Sequence, residues 1–252
     1  MKKNKSNFRI EIVIISVILL LGPVTGLLLS KTNLLDKIVF LNTLRPNVDV
    51  YKPVALNYDD EIIFSSTKTS DLEILLNQIS LNYNNITNLE KLPNFSLLSL
   101  PKDLSNIEPT SRRKEIFLSS ILPLVVKSNL DILNDRKILC EAIKNKDNKK
   151  KEEIAKKHYI DLSKIEKLMI DNTLIRKIDI VPISLVMAQA AAESGWGTSR
   201  FALEGNALFG QWTWDKSKGI QPKFASDQKA VVRKFETLSD SVKSYLLNLN
   251  TH

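Results

Sequence analysis

Glu193 is the residue of this chain best placed to do chemistry. It closes the stretch VPISLVMAQAAAES, with Gly195 and Gly197 directly after it. Pro182 suits a first helical position, where its missing N–H costs little. Leu185, Val186 and Gln189 then recur at helical spacing, and glycine commonly follows a helix end. The pattern predicts a helix over 183–194 with Glu193 at the negative end of its dipole. Ala188, Ala190, Ala191 and Ala192 give that helix a thin waist suited to deep packing. Burial and the dipole would both disfavour an ionised carboxylate, and a protonated carboxyl is what a general acid needs. Gln189, four residues earlier, shares the face of Glu193. Trp196, Phe209, Trp212 and Trp214 follow closely. Aromatic rings beside a carboxyl suit a sugar-binding cleft, because ring faces stack on the apolar faces of sugars. Without such company, a Glu at a helix end is a solvated surface group.

The elements that must position these residues are mostly helical. Lys102 to Lys144 reads as helix, with Phe117, Ile121, Leu124 and Val125 recurring on one face and Ile132, Leu133, Ile138 and Leu139 after them. Thr110 or Ser111 could cap its start, and Pro123 should kink or divide it. Arg112, Arg113 and Lys114 read as a solvated helix start, and KNKDNKKKEE, from Lys144 to Glu153, as a solvated loop or helix extension. Ile160 to Lys177 is expected to be one amphipathic helix with Leu162, Ile165, Leu168 and Met169 on its apolar face. Past Phe209 the pattern becomes aromatic and turn-rich. KAVVRKF, Lys229 to Phe235, suits a strand that IQPKF could join as a hairpin, and Asp240 to Leu249 is helical again. Helices, a small hairpin lobe and a closing helix make an α+β arrangement.

The N-terminus bears on location. Ile10 to Leu29 is apolar apart from Glu11, Ser16 and Thr25, and about 20 residues suffice to span a bilayer as a helix. Lys2, Lys3, Lys5 and Arg9 precede the run, so the positive-inside rule leaves the N-terminus in the cytoplasm and everything after Ser30 outside. A cleaved signal peptide competes, but no A-x-A-like site follows, and an uncleaved anchor is expected. Thr32 to Lys91 reads as a spacer or small accessory region. In it VALNYDDEIIFSS suits a strand or two, and Ser70 with Glu73 makes a capping-box pattern before LEILLNQI. The organisation expected is 1–30 anchor, 31–91 spacer and 92–252 main domain.

Composition narrows the function classes. The single cysteine, Cys140, excludes an intrachain disulfide and reads as a small buried hydrophobe. Two histidines and one cysteine argue against a structural zinc site, and no motif calls for a cofactor. The net charge of +8 could serve nucleic acid, anionic lipid or an anionic cell wall. The charges are scattered, no nucleic-acid motif is present, and an exported domain does not meet DNA.

AQAAAESGWGTSRFALEGNALFGQW resembles the glucosaminidase domain of bacterial peptidoglycan hydrolases, and more closely the Bax family. RRKEIFLSSILPLVVKSNLDILNDRKIL upstream and SVKSYLLNLNTH downstream are similar to the same family, so the resemblance covers roughly Leu92 to His252; the family pattern normally runs further. It implies a lysozyme-like fold with a cleft between a helical lobe and a β-lobe. It also implies an enzyme that cleaves peptidoglycan glycan strands as an endo-β-N-acetylglucosaminidase; with the anchor read at residues 10–29 it would be a membrane-anchored enzyme of the inner membrane, facing the periplasm, with neither cofactor nor metal. Asn206, Leu208, Phe209 and Gly210 match the family's N-x-LFG element along the cleft, and Tyr245 matches a tyrosine the family places near the catalytic centre.

Two carboxyl groups normally flank a glycosidic bond that is hydrolysed. The family carries its second one as a Glu on the hairpin lobe, yet no Glu lies between Phe209 and Phe235. Asp227 and Asp215 are the substitutes, and Asp227 is the better placed. Attack by the substrate's own acetamido group, or a lytic transglycosylase route using one carboxyl, are the alternatives. A lysozyme-like module that grips glycan without cutting it is a further one.

Overall fold

A computed structural model of the 252-residue chain describes residues 62–86, 89, 92–223 and 229–251. The expected anchor, Ile10 to Leu29, lies outside the described residues, as does Asp227. The elements are β1 (Ile62–Phe64), α1 (Thr69–Gln78), β2 (Phe95–Leu97), α2 (Thr110–Lys144), α3 (Asn148–Lys157), α4 (Ile170–Lys177), α5 (Ile183–Ser194), α6 (Arg200–Gly205), β3 (Trp212–Thr213), β4 (Gly219–Ile220), β5 (Val231–Arg233) and α7 (Leu238–Thr251). Among the described residues helix dominates, with two small sheets: an α+β fold.

The core forms around α2. Phe117, Ile121 and Val125 are fully buried on it, and it packs against α5 and α7. Every residue from Ile116 to Val126 is buried, and the helix runs through Pro123 without dividing. An interior proline costs roughly 3 kcal/mol, whereas each large apolar side chain buried beside it contributes about 1.5–3 kcal/mol. Packing therefore outweighs the break that the sequence predicts. Among the described residues α2 alone is long and apolar enough to cross a membrane, but 78% of its apolar window is buried inside the protein.

Several local expectations yield to competing contacts. A short 3₁₀ turn over Lys102–Asn106 precedes α2, and neither Thr110 nor Ser111 caps it. Arg112 instead holds Glu73 of α1 through two 2.6 Å hydrogen bonds, so Glu73 is not part of a capping box. Thr69 starts α1 by donating its N–H and hydroxyl to Asp103 at 2.8 and 2.7 Å. Leu72, Leu76, Leu81 and Tyr83 are buried, so residues 62–86 contribute to the same core as the rest. The charge run forms α3, capped by Asp147, which accepts from the Lys150 N–H.

Ile160 to Lys177 is not one helix. Two 3₁₀ turns precede α4, and Leu168 and Met169 are exposed, at 86% and 47%. Asp161 takes both the N–H and the hydroxyl of Ser163, and such local side-chain bonds compete with helix. Cys140 is exposed rather than buried.

Among its described residues the small lobe has three strands instead of a two-stranded hairpin. β5 is central: Ile220 of β4 pairs with Val232 on one edge and Trp212 of β3 with Val232 on the other, both antiparallel.

Candidate active site

The turn after α5 fixes where Glu193 points. Gly195 is left-handed (φ +60°), and the N–H groups of Trp196 and Gly195 return to the carbonyls of Ala191 and Ala192. This is the paired closure that ends a helix on glycine. Trp196 and Gly197 are left-handed as well, at φ +59° and +78°. For tryptophan that conformation costs about 1–2 kcal/mol. Three contacts hold it. Ser194, fully buried, donates to the Ala190 carbonyl at 2.5 Å and accepts the Gly197 N–H at 2.8 Å. The Trp196 ring meets Phe117 edge-on at 6.2 Å, and Lys114 Nζ sits 4.6 Å above it. Ser194 thus pins the turn rather than orienting its neighbour. Lys114 covers an aromatic face and is not merely a solvated helix start.

Along α5, Leu185, Ala188, Ala192 and Glu193 are exposed and Gln189 is half-buried, while Val186, Met187, Ala190 and Ala191 are buried. Their spacing of three and four puts the exposed set on one stripe. Ala188 and Ala192 are thus not deep packing residues. They make a small-residue floor that ends at the Glu193 carboxylate. Glu193 itself is exposed, so the expected burial of its carboxyl is not met.

The opposite wall is the segment from Asn206 to Trp212, strapped to α7. Asn206, left-handed at φ +53°, caps α6 and donates from Nδ2 to the carbonyls of Phe235 and Glu236 at 3.2 and 3.0 Å. The Leu208 N–H donates to Ser241 Oγ at 3.2 Å, and Gln211 Nε2 to the Ser244 carbonyl at 3.4 Å. Phe209 stacks on Tyr245 with ring centroids 4.0 Å apart and planes 2° from parallel. These straps bring Gly210 over Glu193: a Cβ on Gly210 would lie 4.0 Å from Glu193 Oε2. Burial first, and then the Glu193 carboxylate, push the Tyr245 phenol above its ordinary value.

The structure therefore brings Glu193, Gly210 and Tyr245 together, with Phe209 behind Tyr245 and Gln189 one turn along the floor. Asn206 is buried and serves the loop. Trp196 turns inward onto α2. Trp212 and Trp214 are 54% and 78% exposed on the small lobe. Asp215 is exposed, and its carboxylate accepts from the Ser217 N–H and hydroxyl. These bonds, burial opposing them, leave its acid lower than usual. Gln211 carries no chemical pattern of its own in the sequence. Its amide ties the Gly210 loop to α7, and its Oε1 is buried without a partner among the described residues. Adjacency to the N-x-LFG element is its only sequence signal.

Residues 172–252 match the family described as glucosaminidase, mannosyl-glycoprotein endo-beta-N-acetylglucosaminidase. Protein bax of Escherichia coli (strain K12) is 32% identical over 159 residues, covering 61% of this chain and 56% of that protein. The chain thus spans about half the length of that curated relative. No solved structure matches. The match contains Glu193, Gly210 and Tyr245. Residues 172–252 are thus similar to the glucosaminidase family, and part of the chain is similar to Protein bax.

Proposed function

We propose that the chain is a peptidoglycan hydrolase that cuts glycan strands as an endo-β-N-acetylglucosaminidase, with Glu193 as general acid on a lysozyme-like domain. The observation that carries this reading is the exposed floor of α5. A helix this apolar ordinarily buries its small residues, yet Leu185, Ala188 and Ala192 stay open in a line that ends at a carboxylate. Tyr245 and the bare backbone of Gly210 border that carboxylate, so a sugar ring can approach closely. Glu193 would give its proton to the glycosidic oxygen as the C1–O bond breaks. Water then joins C1, and its proton returns to the carboxylate. Trp212 supplies an exposed ring face for a sugar at the edge of the small lobe.

The second group is either Asp227 or the substrate's own acetamido oxygen. Asp215 is a poor substitute, since its carboxylate is engaged by Ser217 within its own turn. With Asp215 engaged by Ser217 and no Glu between Phe209 and Phe235, one competing reading is a module that binds glycan without cutting it. A zymogram with murein in the gel separates the two: a cleared band supports the enzyme. Mass spectrometry of the products then distinguishes a hydrolysed N-acetylglucosamine end from the anhydro end that a lytic transglycosylase would leave.

The apolar run 10–29 would hold the domain on the periplasmic face of the inner membrane, next to its substrate. Protease added to spheroplasts should then degrade the domain; protection until the membrane is lysed would reverse the topology.

A further inference from the structure

Helix α7 carries a second set of side chains away from the cleft. At 100° per residue, Ser239, Asp240 and Lys243 lie roughly on the opposite side of the helix from Tyr245. Between that side, α2 and the β1–β2 pair runs a groove of about 300 Å³, the low end for small-molecule sites. Lys243 lines it from α7 and Asp131 from α2. Neither makes a hydrogen bond or an ion pair within 4.0 Å among the described residues. Lys243 is still the foremost of the cations that act on Asp131, ahead of Lys157 and Lys127, while burial pushes the Asp131 carboxyl above its ordinary value.

Asp135, one helical turn away, behaves differently. It takes His158 Nε2 at 2.9 Å and Lys157 Nζ at 2.7 Å, so its charge is already matched. The groove adjoins a smaller chamber of about 20 Å³ that shares Ser128, Asp131 and Lys243. His158, 2% exposed, lines that chamber, and its Nδ1 has no partner among the described residues. Leu124 and the exposed Ile63 and Leu98 give the groove an apolar side.

We infer that this groove binds a zwitterionic amino-acid unit, its ammonium on Asp131 and its carboxylate on Lys243, with a small apolar side chain against Ile63, Leu98 and Leu124. Lys243 is exposed and Asp131 half-buried, so a ligand of one charge would meet a like charge at one end of the groove, and an apolar ligand would leave the Asp131 carboxylate without a hydrogen bond. The volume suits an amino acid or a very short peptide. The unit could be free, or the end of a peptide attached to glycan.

The test titrates alanyl-alanine with both ends free, its N-acetyl form and its C-terminal amide into the full chain by calorimetry. The free dipeptide should bind, and each blocked form should bind about tenfold more weakly or worse, since a hydrogen bond to a charged group is lost. Asp131→Asn should no longer distinguish the N-acetyl form, nor Lys243→Gln the amide. Glu193→Gln should bind like wild type, which separates this site from the proposed cleft. A glycan-linked peptide with the same free ends, binding more tightly than the free dipeptide, would identify the attached source; equal or weaker binding would identify the free one. No binding of the free dipeptide at millimolar concentration, or binding to the wild type indifferent to both blocks, overturns the inference even if the variants fail to fold.

Discussion

Gly197 and Gly210 both have left-handed backbone, but the structure gives them opposite tasks, and alanine at each separates stability from function. At Gly197 the new methyl would stand 2.6 Å from Leu100 Cδ1 and 2.8 Å from Phe117 Cδ2, at φ +78°. Phe117 is fully buried on α2 and cannot withdraw. Overpacking of this kind costs about 1–3 kcal/mol, and left-handed backbone for a residue with a Cβ a further 1–2 kcal/mol, so the loss is about 2–5 kcal/mol. At roughly 2–4 °C per kcal/mol for a domain of this size, melting should fall by roughly 4–20 °C. At Gly210 (φ +58°) the methyl would meet only Glu193 Oε2, at 4.0 Å, so only the backbone cost of about 1–2 kcal/mol applies. That methyl, however, stands over the carboxylate. Thermal melts followed by circular dichroism, with murein clearing at a temperature where both variants are folded, give the comparison. Gly197→Ala should be the less stable and Gly210→Ala the less active. Melting of Gly197→Ala within about 2 °C of wild type, or full clearing by Gly210→Ala, would refute the packing or the site geometry respectively.

Further outcomes follow from the same contacts. The Tyr245 phenol should titrate above its ordinary value, and Glu193→Gln, which removes one of its two causes, should lower it; an ultraviolet titration unchanged by that substitution would separate the two side chains. Asp135 is held low overall: burial, the largest influence, raises its acid, but hydrogen bonds from His158 and Lys157 outweigh it. A depressed folded value means that Asp135 stabilises the fold above the unfolded carboxylate range near pH 4 and loses that contribution as pH falls through the folded value. Asp135→Asn should therefore cost roughly 1.5–3 kcal/mol near neutral pH, as hydrogen bonds to a charged group are lost, and the gap from wild type should close in acid, as denaturant titrations at several pH values would read. Trp196→Ala should lower stability by about 3–5 kcal/mol through lost packing, whereas Trp212→Ala should leave stability within about 0.5 kcal/mol and weaken glycan retention in a murein pull-down.

Where sequence signals were local and mutually consistent, they were readable. The helix over 183–194 follows from Pro182, the apolar period and the glycines, and its closure on Gly195 leaves Glu193 in the last turn, though exposed rather than buried. The closing helix extends beyond 240–249 to Leu238–Thr251, because Thr237 and Asp240 exchange hydrogen bonds at its start. Packing decided the other cases. Pro123 stays helical because its neighbours are buried. Leu162, Leu168 and Met169 are patterned for a helix that Asp161 and Ser163 interrupt locally. Trp196 is next but two to Glu193 in sequence, yet three successive left-handed residues carry its ring away to Phe117. Trp212 pairs with Val232 across a third strand that no periodicity announces, since β3 is only 2 residues long. The approach of Gly210 to Glu193 depends on straps to Ser241 and Ser244, more than 30 residues further on, and no spacing rule reveals contacts of that range.

The most direct test of the central claim is the rate at which purified Glu193→Gln releases soluble fragments from murein, compared with wild type at equal folded concentration. The amide keeps the shape of an exposed side chain and cannot donate a carboxyl proton. If Glu193 is the general acid, the rate should fall by roughly 10²–10⁴-fold with melting unchanged. Full glycan cleavage by Glu193→Gln would contradict the account.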